Sequence, residues 1–420
     1  MSRSAQNACL ALLLALPAFS GILPASVLIA GALLGVLAAL TLRSAPVQLT
    51  RPAALALVFV ACWLALVWAS AFIGGLTKDF PQTSITAATR LSVASVLFLA
   101  ATASFQGRLA TVVQAFVLIG VLHATISLVQ FLTGGSLVIG DIARSAGALT
   151  PNILANLLGF SLLCGVAVAV GLVDGVPASR MNLVFVVIIA AGMLAAGTLK
   201  NLLAVAALFT VLYLLGAKAR LPLRLIGMAA ATAVLLPALL MSDRIGARLS
   251  EATDVLSYFG LGSGFHVDSS RPSSLLWRVE HWAFLIRDWS HNFFWTGSGI
   301  GQSINMRGIR SIYGEGAAAH SDWVALIVEG GIVIAPLWLA AISAAIYFSF
   351  RGLRKSTNRR LFVLVTAYFV LIMLTGNVLY TSSFLYCYWL LIGALLSDRS
   401  PVPLATSPAA PFHYLPNPRA

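Results

Sequence analysis

The chain has 420 residues, of which 60% are hydrophobic and only 9% charged, with 26 basic residues against 13 acidic ones and a net charge of +13. A soluble domain carries roughly a quarter charged residues, so the composition excludes an ordinary water-soluble globular protein. The surplus of basic residues would suit nucleic acid, and its distribution along the chain decides whether that reading holds.

Apolar stretches of about membrane-spanning length follow one another along the chain. They predict helices near residues 8–22, 25–42, 53–73, 87–105, 110–132, 151–173, 182–198, 201–216, 225–241, 321–349, 361–379 and 382–397. The expected fold is therefore all-α, a polytopic transmembrane helical bundle of about twelve spans. Residues 1–241 hold the first nine spans, residues 242–319 form one large loop containing an amphipathic helix, residues 320–397 hold the last three, and residues 398–420 read as a disordered tail. Arg3 and the apolar run behind it resemble a secretion signal, but cleavage would invert every later loop, so the run reads as the first span. Cys9, Cys62, Cys164 and Cys387 all fall inside predicted spans at wide spacing, as small core residues rather than a disulfide framework or a metal cluster.

Sorting the charges by side resolves the basicity. With both termini cytoplasmic, the inner segments hold 15 basic residues, among them Arg43, Arg51, Arg108, Arg180, Lys218, Arg351, Lys355 and Arg359, against only Asp174 and Asp398. The outer segments hold the remaining 11 basic and 11 acidic residues and sum to zero. That asymmetry is the positive-inside signature of short loops. The net charge is a topology signal, and no nucleic-acid partner is expected.

The long loop is where the chain becomes chemically rich, and long ordered connections tend to carry function. Residues 275–289 read as an amphipathic helix in which Trp282, Leu285 and Trp289 fall within about 40° of Arg278. A guanidinium on an apolar, aromatic stripe either snorkels along lipid or presents its planar fork to an anion such as phosphate. All seven basic residues of the loop are arginine. Arg271, Arg278, Arg307 and Arg310 are candidates for a phosphate-bearing ligand, whereas Arg244, Arg248 and Arg287 read as partners of the loop's acids. Gly297-Ser298-Gly299-Ile300-Gly301 has the look of a phosphate-cradling loop without the strand that gives such motifs meaning, and reads as a flexible turn. His281, His291 and His320 are too scattered for a zinc-protease signature.

At the end of the loop, His320-Ser321-Asp322-Trp323 opens a predicted span and runs on to Glu329, Gly330 and Gly331. Ser321 can cap that helix, and Asp322 lies in its first turn, where the dipole favours an anion. His320 is left at the water boundary, where an imidazole titrating near neutrality can take a proton from a hydroxyl. Glu329 lies about 13 Å from His320 along the axis at 1.5 Å per residue. It shares a face with Asp322, so both read first as supporting groups.

Taken together, His320 to Gly331, the Arg278-x-x-x-Trp282 element followed by Thr296-Gly297-Ser298-Gly299, the run from Arg144 to Pro151-Asn152, and the Gly197-Thr-Leu-Lys200-Asn201 junction resemble the O-antigen ligase and polymerase family of bacterial envelope proteins. The resemblance extends in architecture over roughly residues 85–397. It implies a metal-independent transferase, without cofactors, in the bacterial inner membrane. Such an enzyme takes glycan from an undecaprenyl-pyrophosphate carrier in the periplasm and passes it to an acceptor glycan or lipid A core, with polysaccharide-export or chain-length proteins as further partners. By the matching positions Arg144 and Arg278 face the pyrophosphate and His320 serves the acceptor. Lys200 stands where the family usually shows arginine, and Asp322 and Trp323 also depart from the commonest pattern. The neutrality of the loop leans toward a polymerase for exopolysaccharide or O-antigen rather than a ligase acting on phosphorylated core. A secondary transporter is the alternative from another class, and would show inverted repeats and charged or broken helices at mid-membrane.

Overall fold

The computed structural model describes residues 13–15, 50–77, 81–105, 107–135, 137–139, 142–144, 149–176, 179–196, 198–216, 274–306, 318–353 and 355–398. Over these residues the chain forms α1 (Arg51–Thr77), α2 (Pro81–Ser104), α3 (Leu109–Leu132), α4 (Pro151–Ala169), α5 (Arg180–Ala196), α6 (Leu199–Gly216), α7 (Ser274–Asn292), α8 (Asp322–Gly352), α9 (Ser356–Met373) and α10 (Ser382–Ser397). Between α3 and α4 a short hairpin pairs β1 (Leu137–Ile139) with β2 (Ile142–Arg144), antiparallel, with Leu137 opposite Arg144. Among the described residues six helices are long and apolar enough to cross a membrane, namely α1 to α4, α8 and α9, and α5, α6 and α10 are shorter apolar helices. The protein is a polytopic, helical membrane protein. The spans expected at 8–22, 25–42 and 225–241 lie outside the described residues, save for a helical turn at 13–15.

The bundle is organised around α10, in which every residue from Ser383 to Ser397 is buried. Lipid would accept its apolar faces equally well, so what holds α10 at the centre is packing through its aromatic and small residues. Trp389 of α10 meets Phe98 of α2 edge-on at 5.1 Å and Trp63 of α1 at 6.3 Å, while Phe384 meets Phe160 of α4 at 5.6 Å. Tyr388 stacks on Phe369 of α9 with centroids 4.4 Å apart. Close approach is possible because Gly393 has no side chain: a Cβ there would lie 2.6 Å from that of Ala101 and 2.7 Å from the Phe98 carbonyl. Small residues at a helix interface are how apolar helices gain contact where no hydrophobic force separates protein from lipid. Around this centre α1 packs along α8, with Phe59 and Phe348 stacked at 5.4 Å, and α5 packs on both α3 and α4.

The inter-helix segments sort into two sets. Lys355 lies 3.2 Å from Asp174 and 3.0 Å from Asp398, which also accepts from Asn358, joining the segments after α4, α8 and α10. The other ends of the helices meet one another through Ser84 and Ile300, Arg90 and Tyr380, Lys200 and Thr375, and Trp282 and Ala319.

Among the departures from the sequence expectation, three bear on the site. α2 begins at Pro81, not near residue 87, since its polar first turns are held by hydrogen bonds from Gln302 to Ser84 and from Asn305 to Thr83. α9 ends at Met373, not near 379, because the backbone N–H groups of Val378 and Leu379 are taken by the Asp322 side chain. The helix expected at 321–349 is broken at Gly331, whose φ of 62° and ψ of −172° no continuous helix contains.

Candidate functional site

The break in α8 frees backbone groups that lipid cannot satisfy. The segment after α7 takes them up. Ser298 and Gly299 donate their N–H groups to the carbonyls of Val328 and Glu329 at 2.9 and 3.0 Å, and Ile332 and Val333 donate to the carbonyls of Phe294 and Trp295 at 2.9 and 3.1 Å. Gly331 adopts a conformation open only to glycine, and a Cβ on it would overlap the backbone of Trp295 to Gly297. The run Gly297-Ser298-Gly299-Ile300-Gly301 is therefore not a flexible turn, as its glycines suggest, but a clasp. Its glycines allow backbone to meet backbone, and Ser70 and Ser84 pin Ile300 from α1 and α2 at 3.0 and 2.8 Å.

Glu329 sits fully buried at the break. One carboxylate oxygen accepts from the Ser303 hydroxyl at 2.6 Å and from its N–H at 3.3 Å, and the other accepts from the Tyr380 hydroxyl. Both oxygens are thus engaged in tying the clasp and the α9–α10 turn to α8. Asp322 is likewise fully buried, and accepts from Val378 at 2.6 Å and from Leu379 at 3.2 Å. Ser321 caps the helix, accepting from the N–H of Val324 at 3.4 Å.

His320 has φ 52°, the one non-glycine residue with positive φ among the described residues. A left-handed conformation costs an L-residue about 1 kcal/mol, and such strain persists where surrounding contacts hold it. Here they do. The Trp282 indole donates to the carbonyl of Ala319 at 2.5 Å, and Trp277 meets the His320 ring edge-on at 5.4 Å while stacking on His281 at 4.9 Å. α7 presents Leu276, His281 and Leu285 as its buried residues, with Arg278 and Trp282 flanking them half-buried. Leu285 packs with Met306, Ala319, Ala325 and Val328, fastening α7 to the start of α8.

Burial, then the positive charges of Arg278, His281 and Lys200, lower the His320 pKa to about 4. The imidazole is therefore neutral at physiological pH and able to accept a hydrogen bond or a proton. Lys200, at the start of α6, donates to the carbonyl of Thr375 at 3.2 Å and lies near enough to feel the charges of Arg278 and Asp322. Two cations and a histidine from three separate parts of the chain thus lie near enough for their charges to interact. Arg144 ends β2, opposite Leu137 at the open end of the hairpin. Arg271, Arg307 and Arg310 lie outside the described residues.

Beside His320, Ala318 and Ala319 roof a cleft of about 440 Å³ whose walls include Thr86 and Arg90 of α2, Glu329, Asn377 and Tyr380. Arg90, Trp277, His281 and Tyr380 also prove to be neighbours of His320 or of this cleft. Arg90 lies inside an apolar span, where a charge has to have a reason, and that signal was present. Nothing local marks Trp277, His281 or Tyr380, whose neighbourhoods arise only when α7, α8 and the α9–α10 turn meet.

No curated protein and no solved structure shows a significant match to the chain. A family model described as O-antigen ligase matches residues 184–339. That stretch contains Lys200, Arg278, Trp282, the glycine clasp, His320, Asp322 and Glu329. Over residues 184–339 the chain is thus similar to the O-antigen ligase family, within a polytopic helical membrane protein.

Proposed function

We propose that the protein transfers glycan from undecaprenyl pyrophosphate to an acceptor hydroxyl at the periplasmic face of a bacterial inner membrane, with both termini cytoplasmic. The observation that carries this reading is the convergence of Arg278, Lys200 and a neutral His320 on one end of the bundle. In the reaction the acceptor oxygen attacks the anomeric carbon, the bond from that carbon to the pyrophosphate oxygen breaks, and the hydroxyl proton passes to His320. Arg278 and Lys200 stabilise the charge that accumulates on the leaving pyrophosphate. Arg144, Arg271, Arg307 and Arg310 are proposed to add to that field. Positive side chains suffice for this role without a metal, and the carrier bond is already activated.

Burial first, and then the neighbouring charges of Arg278, His281 and Lys200, hold the His320 pKa at about 4. A bound pyrophosphate would offset the charges of Arg278 and Lys200 and raise the basicity of the imidazole when the donor is in place. Proton acceptance is thereby coupled to donor binding. Asp322, Glu329 and Trp282 act by holding this geometry.

Within the class, the near-neutral outer segments favour polymerisation of exopolysaccharide or O-antigen over transfer to a strongly anionic lipid A core. The family description favours ligation. The glycan profile of a deletion strain separates the two. Single repeat units on the acceptor, with long chains lost, identify a polymerase; long chains stranded on the carrier identify a ligase. A transporter would be expected to use the groups freed at a helix break to hold its substrate. In α8 the carbonyls of Val328 and Glu329 and the N–H groups of Ile332 and Val333 are bound by the protein's own clasp. An unchanged glycan profile would overturn the transferase reading.

A further inference from the structure

The cleft next to His320 contains a cation that the transfer chemistry above does not use. Arg90 sits in the third turn of α2, half-buried, with one guanidinium nitrogen donating to the Tyr380 carbonyl at 3.4 Å. No carboxylate lies within ion-pair distance of it among the described residues, where the ion pairs present are those of Lys355. The acid on the same wall, Glu329, has its oxygens engaged by Ser303 and Tyr380. A guanidinium held within an apolar span ordinarily finds an anion, and here the space before it is a cleft of about 440 Å³. That volume falls within the range of roughly 300–1,000 Å³ typical of ligand pockets.

The rest of the lining indicates what kind of anion. Gln82, Thr83, Thr86 and Asn377 are neutral groups that donate and accept hydrogen bonds. That is what an array of sugar hydroxyls requires. One guanidinium beside a buried carboxylate suits a single negative charge better than the double charge of a phosphate ester. Arg278 and Lys200 do not line the cleft, whereas Ala318 and Ala319, which lead directly into His320, do. A ligand there is distinct from the pyrophosphate and adjacent to the proposed proton acceptor.

We propose that this cleft is the acceptor-sugar subsite and that Arg90 selects an acidic sugar, reading the carboxylate of a uronic acid through its planar fork. Gln82, Thr86 and Asn377 hold the ring hydroxyls. The proposal rests on the transferase reading for the word acceptor, but not for binding itself.

The test is binding of two disaccharide probes, cellobiose and its uronic-acid counterpart, to the full-length protein in lipid nanodiscs without any donor, followed by saturation-transfer NMR. The wild-type protein should prefer the uronate by about tenfold, the change worth 1.4 kcal/mol. Arg90→Gln should reduce uronate binding to the level of cellobiose while leaving cellobiose binding unchanged. Arg90→Lys, which keeps the charge but not the fork, should fall between them, and it guards against a folding defect in the glutamine variant. Equal binding of the two probes by the wild type, retention of the preference in Arg90→Gln, or displacement of the uronate by inorganic phosphate at matched concentration would each overturn the proposal. A preference for uronate in a protein that proves unable to transfer glycan would instead count against the transferase reading and leave the subsite standing.

Discussion

The buried carboxylate of Asp322 takes the backbone N–H of Val378 at 2.6 Å, so that the first turn of α8 hangs from the turn joining α9 to α10. Because His320 lies two residues before it, the position of the imidazole depends on a contact made more than fifty residues away in sequence. Asp322→Ala leaves two buried N–H groups unsatisfied and should destabilise the protein by about 3 kcal/mol. Asp322→Asn retains a carbonyl for one of them and should cost less. Thermal unfolding of the detergent-purified variants checks the order, and equal stability of the two would show that the contact contributes little.

The clasp makes a second expectation. Gly331→Ala would drive a Cβ into the backbone of residues 295–297 while also forcing a disfavoured φ, whereas Gly107 has positive φ but open space around it. Gly107→Ala should therefore cost about 1 kcal/mol from backbone strain alone. Gly331→Ala should lower the yield of folded protein severely, as read by fluorescence-detected gel filtration.

Removing the proposed proton acceptor should separate binding from turnover. His320→Ala should abolish transfer and leave carrier-lipid binding intact. Arg278→Lys should be nearly as damaging as Arg278→Ala, since an ammonium keeps the charge but loses the bidentate geometry. A purified His320→Ala protein that turned over carrier-linked glycan at the wild-type rate would remove the histidine from the mechanism.

The depressed pKa of His320 carries a pH signature with a definite sign. Its folded value of about 4 lies below its ordinary 6.5, so the neutral imidazole persists as pH falls and is lost only on approach to 4. The kcat/KM profile, which reports the free enzyme, should show no acidic limb from this residue between about pH 5.5 and 8. By linkage the unfolded chain binds the extra proton first, so this group's contribution to stability is full above about 6.5 and declines as pH falls toward 4. An acidic limb in kcat/KM centred near 6.5, with the His320 ring itself titrating there by NMR in the donor-free protein, would contradict the half-buried, cation-flanked environment.

Orientation is open to labelling. Ser290 on α7 and Ser356 at the start of α9 are both exposed. In a background lacking the four native cysteines, Ser290→Cys should react with an impermeant thiol reagent from the periplasmic side, and Ser356→Cys only after the inner membrane is opened. The reverse pattern would put His320 and Arg278 in the cytoplasm and overturn the periplasmic reading.

Much of the architecture is written locally. Apolar runs of membrane length announce α1, α3, α4 and α8 because lipid demands about twenty apolar residues whatever the neighbours are. The helix α7 is announced by its periodicity, and the start of α8 by Ser321.

Other features follow from tertiary contact alone. Glycines at 297, 299 and 301 favour flexibility when considered alone, and become a rigid clasp only when the broken α8 supplies the hydrogen-bonding groups that match them. The end of α9 is hinted at by Thr375-Gly376-Asn377, but that Asp322 takes the Val378 and Leu379 N–H groups follows only from tertiary contact. Arg90, Tyr380, Trp277 and His281 are scattered over almost three hundred residues, and their proximity to His320 or its cleft is a consequence of helix packing. Hydropathy is additive along the chain and so can be read from it. Hydrogen-bond satisfaction at a break depends on which backbone is brought alongside, and only the folded bundle decides that.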